Sequence, residues 1–101
     1  MAVDDNGYAF VFSNGVWAAG QQIDSKPHDF LDSVSCATNN FCVAVDDSGY
    51  AYNFSGGKWT SGLQVNTHST DFGSFVITSV ACSTTKFCVA VAVSGYEFTY
   101  S

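Results

Sequence analysis

The sequence contains no arginine, a single glutamate (Glu97) and a single proline among its 101 residues. Leucine occurs only at Leu31 and Leu63. Because leucine, glutamate and arginine are strong helix formers, their scarcity argues against a helical protein. The sequence has instead 16% aromatic residues, with many valines, serines, threonines and glycines. This composition is typical of β-strands joined by tight turns.

Basic residues are also scarce, since three Lys and no Arg stand against nine acidic residues, and the formal net charge is -6 at pH 7. Nucleic acids and anionic membranes are bound through clusters of lysine and arginine, so we expect neither as a partner. No apolar run approaches the length of a membrane span. Ala2 and Val3 follow Met1 without a signal peptide, which favours a mature or engineered domain.

The sequence repeats itself. Residues 33–54 recur at 79–100 with an offset of 46, and residues 2–23 recur at 44–65 with an offset of 42. An internal repeat of this length indicates repeated structural units. We therefore divide the chain into three units: a partial unit with strands two to four and a linker (1–32), a complete unit with its linker (33–78), and a partial unit with strands one to three (79–101).

The complete unit predicts four short strands separated by turn-forming clusters. The predicted strands are 33–36, 41–45, 50–54 and about 58–65. Side chains alternate along a strand, so Tyr50, Tyr52 and Phe54 share one face of the third strand. Four antiparallel strands repeated every 42 to 46 residues favour an all-β fold, namely a β-propeller built from four-stranded antiparallel blades. A β-sandwich is the alternative, which explains the strands and turns but not the repeat.

The complete unit contains Ser-Val-Ser-Cys (33–36), Cys-Val-Ala-Val-Asp (42–46), Gly-Tyr (49–50) and Gly-Lys-Trp (57–59). This series resembles the short propeller repeats of secreted bacterial proteins, and the resemblance covers essentially the whole chain. In plan, a two-repeat chain is also similar to small bacterial and fungal-type propeller lectins, which close a ring by oligomerising. Those fucose-binding lectins bind their sugar through arginine, glutamate and tryptophan side chains. Because this chain has no arginine, that sugar chemistry does not carry over.

Two of the three units are incomplete, which has a consequence for assembly. A propeller closes with about four to eight blades, and alone this chain would expose unpaired strand edges and the faces of its terminal sheets, a hazard for aggregation. Heterologous contacts that close form rings. We therefore expect the partner to be a second copy, in a homo-oligomer that completes the propeller ring. Six blades from three chains, five blades, and exchange of strands between chains are the alternatives.

The four cysteines form two pairs with the same spacing, Cys36 with Cys42 and Cys82 with Cys88. Opposed residues of a hairpin lie about 4.5 or 5.5 Å apart between Cα atoms, a separation that a disulfide tolerates. We therefore predict two disulfides, and with them a secreted source protein. Four buried free thiols are the alternative. A zinc site is disfavoured because no histidine lies near either pair in the sequence, and we expect no metal or cofactor.

An acidic turn joins the second and third strands of the first two units, DDNG at 4–7 and DDSG at 46–49. Asp and Asn cap turns with their side chains, and glycine supplies a positive φ angle. The third copy, AVSG at 92–95, lacks both carboxylates, so we predict that the turn does not need them. A ligand contact and a calcium site are the alternatives, although an EF-hand needs further ligands that the sequence lacks. The four carboxylates are Asp4, Asp5, Asp46 and Asp47.

Two equivalent tryptophans, Trp17 and Trp59, each follow a glycine-containing corner. Tryptophan offers a flat apolar face that stacks on the C–H faces of sugars or packs inside a protein. Two histidines, His28 and His68, lie in the linkers, and His28 precedes Asp29. A His–Asp neighbour suggests acid–base chemistry. No nucleophile motif accompanies it, so a linker contact or a ligand site is favoured over catalysis.

From these features we predict a carbohydrate-binding, lectin-like module of a multivalent homo-oligomer, and not an enzyme. Trp17 and Trp59 would be the platforms for glycans, and the four turn carboxylates would accept hydrogen bonds from sugar hydroxyl groups. Repeated weak sites gain avidity. The alternative is a self-assembling structural propeller segment or engineered scaffold that binds no ligand, since a fold by itself does not determine a function.

Overall fold

The structure of the chain is a computed structural model, and it describes residues 1–24, 30–60, 62–65, 76–92, 95 and 97–100. All regular secondary structure in these ranges is β-strand, which confirms the prediction of an all-β fold. No helix that is long and apolar enough to cross a membrane occurs in these same ranges. The predictions for His28, Asp29 and His68 lie outside the described residues.

The described strands form three antiparallel sheets of three or more strands, one in each repeat unit, and a separate two-stranded hairpin in the first unit. Sheet 1 and its adjoining hairpin contain β1 (Ala2–Val3), β2 (Tyr8–Phe10), β3 (Phe12–Ser13), β4 (Val16–Trp17) and β5 (Gln21–Gln22). Sheet 2 contains β6 (Leu31–Thr38), β7 (Phe41–Asp46), β8 (Tyr50–Ser55), β9 (Lys58–Trp59) and β10 (Leu63–Gln64). Sheet 3 contains β11 (Ile77–Thr84), β12 (Phe87–Ala92) and β13 (Glu97–Tyr100).

The long strands of sheets 2 and 3 pair in the order in which they follow each other in the sequence. Sheet 2 has the order β6-β7-β8-β10, with β9 also pairing with β8, and sheet 3 has the order β11-β12-β13. Sheet 1 has the order β1-β2-β5, while β3 and β4 form the separate hairpin. The main path of sheet 2 therefore has the four antiparallel strands that the sequence of the complete unit predicts.

The fourth strand of the complete unit differs from the sequence prediction. The sequence predicts one continuous strand over 58–65, but the structure divides it into β9 and β10. A Cβ atom on Gly62 would lie 2.6 Å from Cε2 of Tyr52, and a Cβ atom on Gly20 would lie 2.5 Å from Cε2 of Phe10. In both units an aromatic ring from the third strand fills the space that a side chain at this glycine would need. The pairing of the fourth strand with the third is interrupted at the same place.

The hairpins of sheets 1 and 2 close with two-residue turns. Asn14 and Gly15 have φ angles of 53° and 78°, and Gly56 and Gly57 have φ angles of 61° and 83°. Positive φ at both central residues is typical of the type I′ turn, whose twist matches that of two antiparallel strands. The Asn-Gly and Gly-Gly corners of the sequence therefore determine where β3 turns into β4 and where β8 turns into β9.

Side-chain alternation divides each sheet into two faces, which we name from sheet 2. The valine face of sheet 2 contains Phe41, Val43, Val45 and Ala51, and its aromatic face contains Val34, Ala44 and Tyr52. The repeat offsets define the same faces on the other two sheets. On sheet 1 the valine face contains Val3, Ala9 and Ile23, and the aromatic face contains Ala2, Tyr8 and Phe10. On sheet 3 the valine face contains Phe87, Val89 and Val91, and the aromatic face contains Val80, Ala90 and Phe98.

The three sheets stack in one sense, so that a valine face meets an aromatic face at both junctions. The valine face of sheet 1 covers the aromatic face of sheet 2, and the valine face of sheet 2 covers the aromatic face of sheet 3. The first junction buries Leu31, Ala44 and Tyr52 against Val3 and Ile23. The second junction buries Phe41, Val43 and Val45 against Ile77, Val80, Cys88 and Ala90.

Two disulfides join the first and second strands of sheets 2 and 3, with the pairing predicted from the cysteine spacing. Cys36 is bonded to Cys42 and Cys82 to Cys88, and in both bonds the Cα atoms are 4.0 Å apart. Each pair consists of directly opposed residues in the strand register. All four cysteines are therefore used, which leaves none as the free thiols or zinc ligands considered as alternatives.

Candidate functional site

The acidic turns are capped by the first carboxylate of each pair. Oδ1 of Asp46 accepts hydrogen bonds from the backbone N–H groups of Ser48 at 3.0 Å and Tyr50 at 2.8 Å. Oδ1 of Asp4 accepts the two equivalent hydrogen bonds in the first unit. An aspartate that caps a turn in this way accounts for the residue type without a ligand.

The third unit shows which part of this turn survives without the carboxylates. The N–H of Gly95 donates to the carbonyl of Ala92 at 3.1 Å, as the N–H of Gly7 donates to the carbonyl of Asp4 at 3.3 Å. Gly95 also keeps a positive φ of 89°. The backbone hydrogen bond across the turn is thus formed in a copy that has no aspartate, while positions 93 and 94 lie outside the described residues.

Asp46 is also the centre of a buried polar cluster between sheets 1 and 2. Its exposed fraction is 0%, and its Oδ2 accepts a hydrogen bond from the Tyr52 hydroxyl at 3.0 Å. Asp24, also buried, forms a side-chain hydrogen bond with Asp46. A hydrogen bond between two carboxyl groups requires a proton on one of them. Asp46 is thus buried between two sheets, and its contact with a sugar stays a prediction.

The same cluster shifts the protonation of its members. Burial, followed by the hydrogen bond with Asp24, raises the pKa of Asp46 from 3.8 to about 6. Burial, together with the two carboxylates, also raises the pKa of Tyr52. Both shifts favour the neutral form, because a buried environment disfavours charge. The cluster is held in place by packing between two sheets, and Asp24, Asp46 and Tyr52 are all buried there.

Gly7 positions Asp24 at this junction. The carbonyl of Gly7 accepts hydrogen bonds from the N–H groups of Ile23 at 2.8 Å and Asp24 at 3.1 Å. Gly7 has a φ of 83°, and a Cβ atom on it would overlap the carbonyl oxygen of Asp24. Only glycine fits here, so the first acidic turn and the buried carboxyl pair are structurally connected.

The second carboxylate of each pair has a different environment. Oδ1 of Asp47 accepts a hydrogen bond from the N–H of Phe30 at 2.9 Å, and the N–H of Asp47 donates to the carbonyl of Phe30 at 3.1 Å. Asp47 therefore fixes the backbone just before β6, whereas Asp5 is exposed.

Burial, with the charges of Asp47 and Asp5, raises the pKa of Asp32 to about 6. Within the described ranges, no three His, Cys, Asp or Glu residues are grouped to hold a metal ion.

The two tryptophans share one local geometry but differ in exposure. Trp17 lies opposite Phe12 and Trp59 lies opposite Phe54, with ring centroids 5.0 and 5.3 Å apart. Trp59 is half-buried against the aromatic face of sheet 2, whereas Trp17 is 53% exposed. The difference follows from the stack, because sheet 1 covers the aromatic face of sheet 2 and no described sheet covers that of sheet 1.

The outer face at the other end of the stack is also apolar and exposed. On the valine face of sheet 3, Phe87 is 44% exposed and Val91 is 43% exposed. Their counterparts on sheet 2, Phe41 and Val45, are 8% and 1% exposed because sheet 3 packs on them. The outer faces of the stack are therefore the aromatic face of sheet 1 and the valine face of sheet 3. A valine face and an aromatic face also pack together at each internal junction.

The sequence alone did not single out Phe87 and Val91 of the exposed valine face, or Asp24 of the buried cluster, as functional candidates. Phe87 and Val91 could be found by aligning the third unit on the second at the offset of 46. Asp24 has no such signal, because it belongs to a different unit from Asp46 and meets it only through sheet stacking. No protein-family model matches the chain, and no curated protein or solved structure is significantly similar to it.

Proposed function

We propose that the chain is a self-assembling repeat module, in which the valine face of sheet 3 packs on the aromatic face of sheet 1 of a second copy. Phe87 and Val91 carry this proposal, since they are exposed at positions whose counterparts the next sheet buries. An exposed apolar face of this kind is typical of an interaction surface. Head-to-tail contacts that close form a ring, and a ring of such sheets is the propeller expected from the sequence.

The junction between sheets 2 and 3 supplies the pattern for the contact between copies. Oγ of Ser33, on the valine side of sheet 2, accepts a hydrogen bond from the backbone of β11 at 3.4 Å. Ser79 is its counterpart on sheet 3 and is exposed, so it offers the same acceptor to a second copy. Ser35 accepts a second such bond at 2.9 Å, whereas its counterpart Ala81 offers none.

The energetics favour a closed assembly over an open pair. Each buried Val or Phe side chain contributes about 1.5–3 kcal/mol, while association costs about 4–15 kcal/mol in lost freedom. A single contact between these two faces is therefore weak. In a ring every copy makes two contacts, and this second contact stabilises the assembly. The two disulfides support an extracellular location for it.

Native mass spectrometry with light scattering tests this proposal. We expect one closed oligomer, and we expect Val91→Asp to give single chains because it places a charge in the buried contact. Thr85→Asp is the matched control, since it adds the same charge at an exposed turn of the same sheet, and it should assemble like the unmodified protein. A mass of one chain at every concentration up to the solubility limit would refute self-assembly.

Carbohydrate binding is the second candidate, and the exposed ring of Trp17 beside Phe12 favours it. An exposed indole provides the platform that a sugar face requires. Asp4, Asp5, Asp46 and Asp47 stay predictions for the polar contacts. On a glycan array, Trp17→Ala should abolish binding, whereas Val16→Ala, which changes an exposed neighbour on the same hairpin, should not. Absence of binding to any glycan at high protein concentration would exclude this candidate.

A further inference from the structure

One strand edge is paired with further strands in sheet 2 but shows no second partner strand in sheet 3 among the residues that the structure describes. β8 pairs with β7 on one side and with β9 and β10 on the other. β13, its counterpart in the third unit, pairs with β12 in the same register. It has no second partner strand in the part of the chain that the structure describes. An open edge offers its N–H and C=O groups to another strand.

The repeat shows which backbone groups this edge presents. In sheet 2 the N–H of Asn53 donates to Oγ1 of Thr60 at 3.2 Å, and the carbonyl of Asn53 accepts the N–H of Thr60 at 2.8 Å. Asn53 thus directs its polar backbone groups away from β7. Thr99 is its counterpart, and it lies opposite Val89 as Asn53 lies opposite Val43. The N–H and C=O of Thr99 accordingly point out of the open edge.

A groove of about 360 Å³ lies beside this edge, between sheets 2 and 3. From sheet 3 it is lined by Val80, Ala90 and Phe98, and from the sheet 2 side by Val45 and Val65. Thr99 and Tyr100 of β13 also line it. The groove and the open edge are therefore parts of one surface.

The same space is filled at the other junction of the stack. The five groove residues have counterparts in the cluster between sheets 1 and 2, namely Val34, Ala44, Tyr52, Val3 and Ile23. That cluster also contains Trp59, which belongs to the fourth strand of sheet 2. Sheet 3 shows no fourth strand within the described ranges, and the groove lies where its tryptophan would pack.

We propose that the groove and the edge of β13 form a receptor for an extended segment of fourth-strand sequence, supplied by a second copy of the chain. The chain carries two such segments, GVWAAGQQI at 15–23 and GKWTSGLQV at 57–65. The first is the donor, because Val16 and Trp17 in β4 are exposed and β5 is joined to β2 by two residue pairs. Backbone pairing provides affinity, and the pocket for one side chain provides specificity.

The identity of the partner rests on the proposed self-assembly, but the site itself does not. The outer valine face of sheet 3 and the edge of β13 are different surfaces of the same sheet. Val91→Asp alters the face and leaves the edge unchanged, whereas a change in the backbone of Thr99 alters the edge and leaves the face unchanged. Each proposal can therefore fail without the other.

Labelled synthetic peptides of residues 15–23 and 57–65, titrated with the full chain and followed by fluorescence anisotropy, test the receptor. We expect saturable binding of both peptides with one peptide per chain, and equal binding to the Val91→Asp variant. Replacing the tryptophan of either peptide by alanine should weaken binding at least about tenfold, because the groove then holds no ring. Equal binding of the alanine peptides would overturn the proposal, and binding of 57–65 alone would overturn the choice of donor.

Thr99→Pro tests the strand pairing. Proline is tolerated in an edge strand where the N–H points away from its neighbour, so β12 and β13 stay paired while the outward donor is lost. We expect peptide affinity to fall about tenfold for one hydrogen bond, whereas Thr99→Val, which keeps the N–H, binds like the unmodified chain. Unchanged affinity in Thr99→Pro would contradict the proposal.

Amide hydrogen exchange on the unmodified chain covers the case in which Thr99→Pro does not fold. The peptide should protect the N–H of Thr99, because that group then donates to the added strand. Peptide binding without this protection would mean that the groove takes a side chain but no strand is added, and the proposal would be wrong. Competition by free indole combined with no protection at Thr99 would identify a small-molecule pocket instead.

Discussion

The hydroxyl of Tyr52 donates a hydrogen bond to Oδ2 of Asp46 at 3.0 Å, inside the junction between sheets 1 and 2. Neither residue recurs in the third unit, where Ala92 and Phe98 stand at the counterpart positions. A buried carboxyl and a buried phenol that bond to each other are thus replaced together by two apolar residues. The pair belongs to the packing of one junction and is not a site repeated in every unit.

Tyr52→Phe removes the donor of this hydrogen bond and keeps the ring. We expect the free energy of unfolding to fall by about 1–3 kcal/mol, because a buried carboxylate oxygen loses a hydrogen bond. Urea denaturation measures the change. Tyr100→Phe is the matched control, since Tyr100 is exposed and loss of its hydroxyl should cost less than about 0.5 kcal/mol. Equal losses in both variants would contradict a specific role for the buried pair.

Stability should fall as the pH rises through the weakly acidic range. Burial and the hydrogen bond with Asp24 raise the pKa of Asp46 from 3.8 to about 6. Burial and the charges of Asp47 and Asp5 raise the pKa of Asp32 in the same direction, but Asp32 is exposed, so solvent screens its contribution to stability and Asp46 dominates. Between these values the folded state binds more protons than the unfolded state. The stabilisation is therefore fully present below pH 3.8 and is lost as the pH rises to about 6.

Urea denaturation at a series of pH values measures this dependence. We expect a slope on the order of 1 kcal/mol per pH unit across the window. Asp46→Asn removes the buried titration and should flatten the slope, whereas Glu97→Gln, on the exposed outer strand of sheet 3, should leave it unchanged. Stability that rises with pH across the window would show that the carboxyl pair is not protonated in the folded protein.

Gly7→Ala and Gly15→Ala separate steric overlap from backbone strain. Both glycines have positive φ angles, 83° and 78°, but a Cβ atom on Gly7 overlaps the carbonyl of Asp24 while nothing lies within 4 Å of one on Gly15. We expect Gly15→Ala to cost about 1–2 kcal/mol. Gly7→Ala should cost at least about 2 kcal/mol more, because the hydrogen bonds that its carbonyl accepts are also displaced. Thermal unfolding of both variants compares the costs, and equal values would contradict the overlap.

Glu97→Ala should strengthen self-assembly. Glu97 lies opposite Val91 on the valine face of sheet 3, at the position where sheet 2 carries Ala51 and is covered. Removal of a carboxylate that association must desolvate should strengthen assembly about tenfold. Sedimentation velocity over a concentration series measures the change. Glu97→Gln should show a smaller gain, and weaker assembly of Glu97→Ala would place the contact elsewhere.

Sequence reasoning predicts the features of this protein that depend on neighbouring residues. Cys36 and Cys42 flank a single hairpin, so their spacing is enough to place them opposite each other. The Gly-Gly corner before Trp59 specifies a tight turn through its positive φ angles. The predicted fourth strand was wrong in its continuity, because the ring of Tyr52 packs over Gly62 and comes from a different strand.

The sequence by itself determined the strands, the turns, the disulfide pairing and the repeat, since each depends on side-chain alternation, φ preference or spacing within one hairpin. Only the tertiary structure decided which faces are covered, because Trp17 and Trp59 hold equivalent repeat positions and pair with equivalent phenylalanines, yet only Trp59 has a sheet packed over its face. It also decided that Asp46 is buried with Asp24, two carboxyls from different units that stacking brings together. The local sequence pattern determines from which face of a strand a side chain projects, and the neighbouring sheet determines whether solvent or another side chain lies against it.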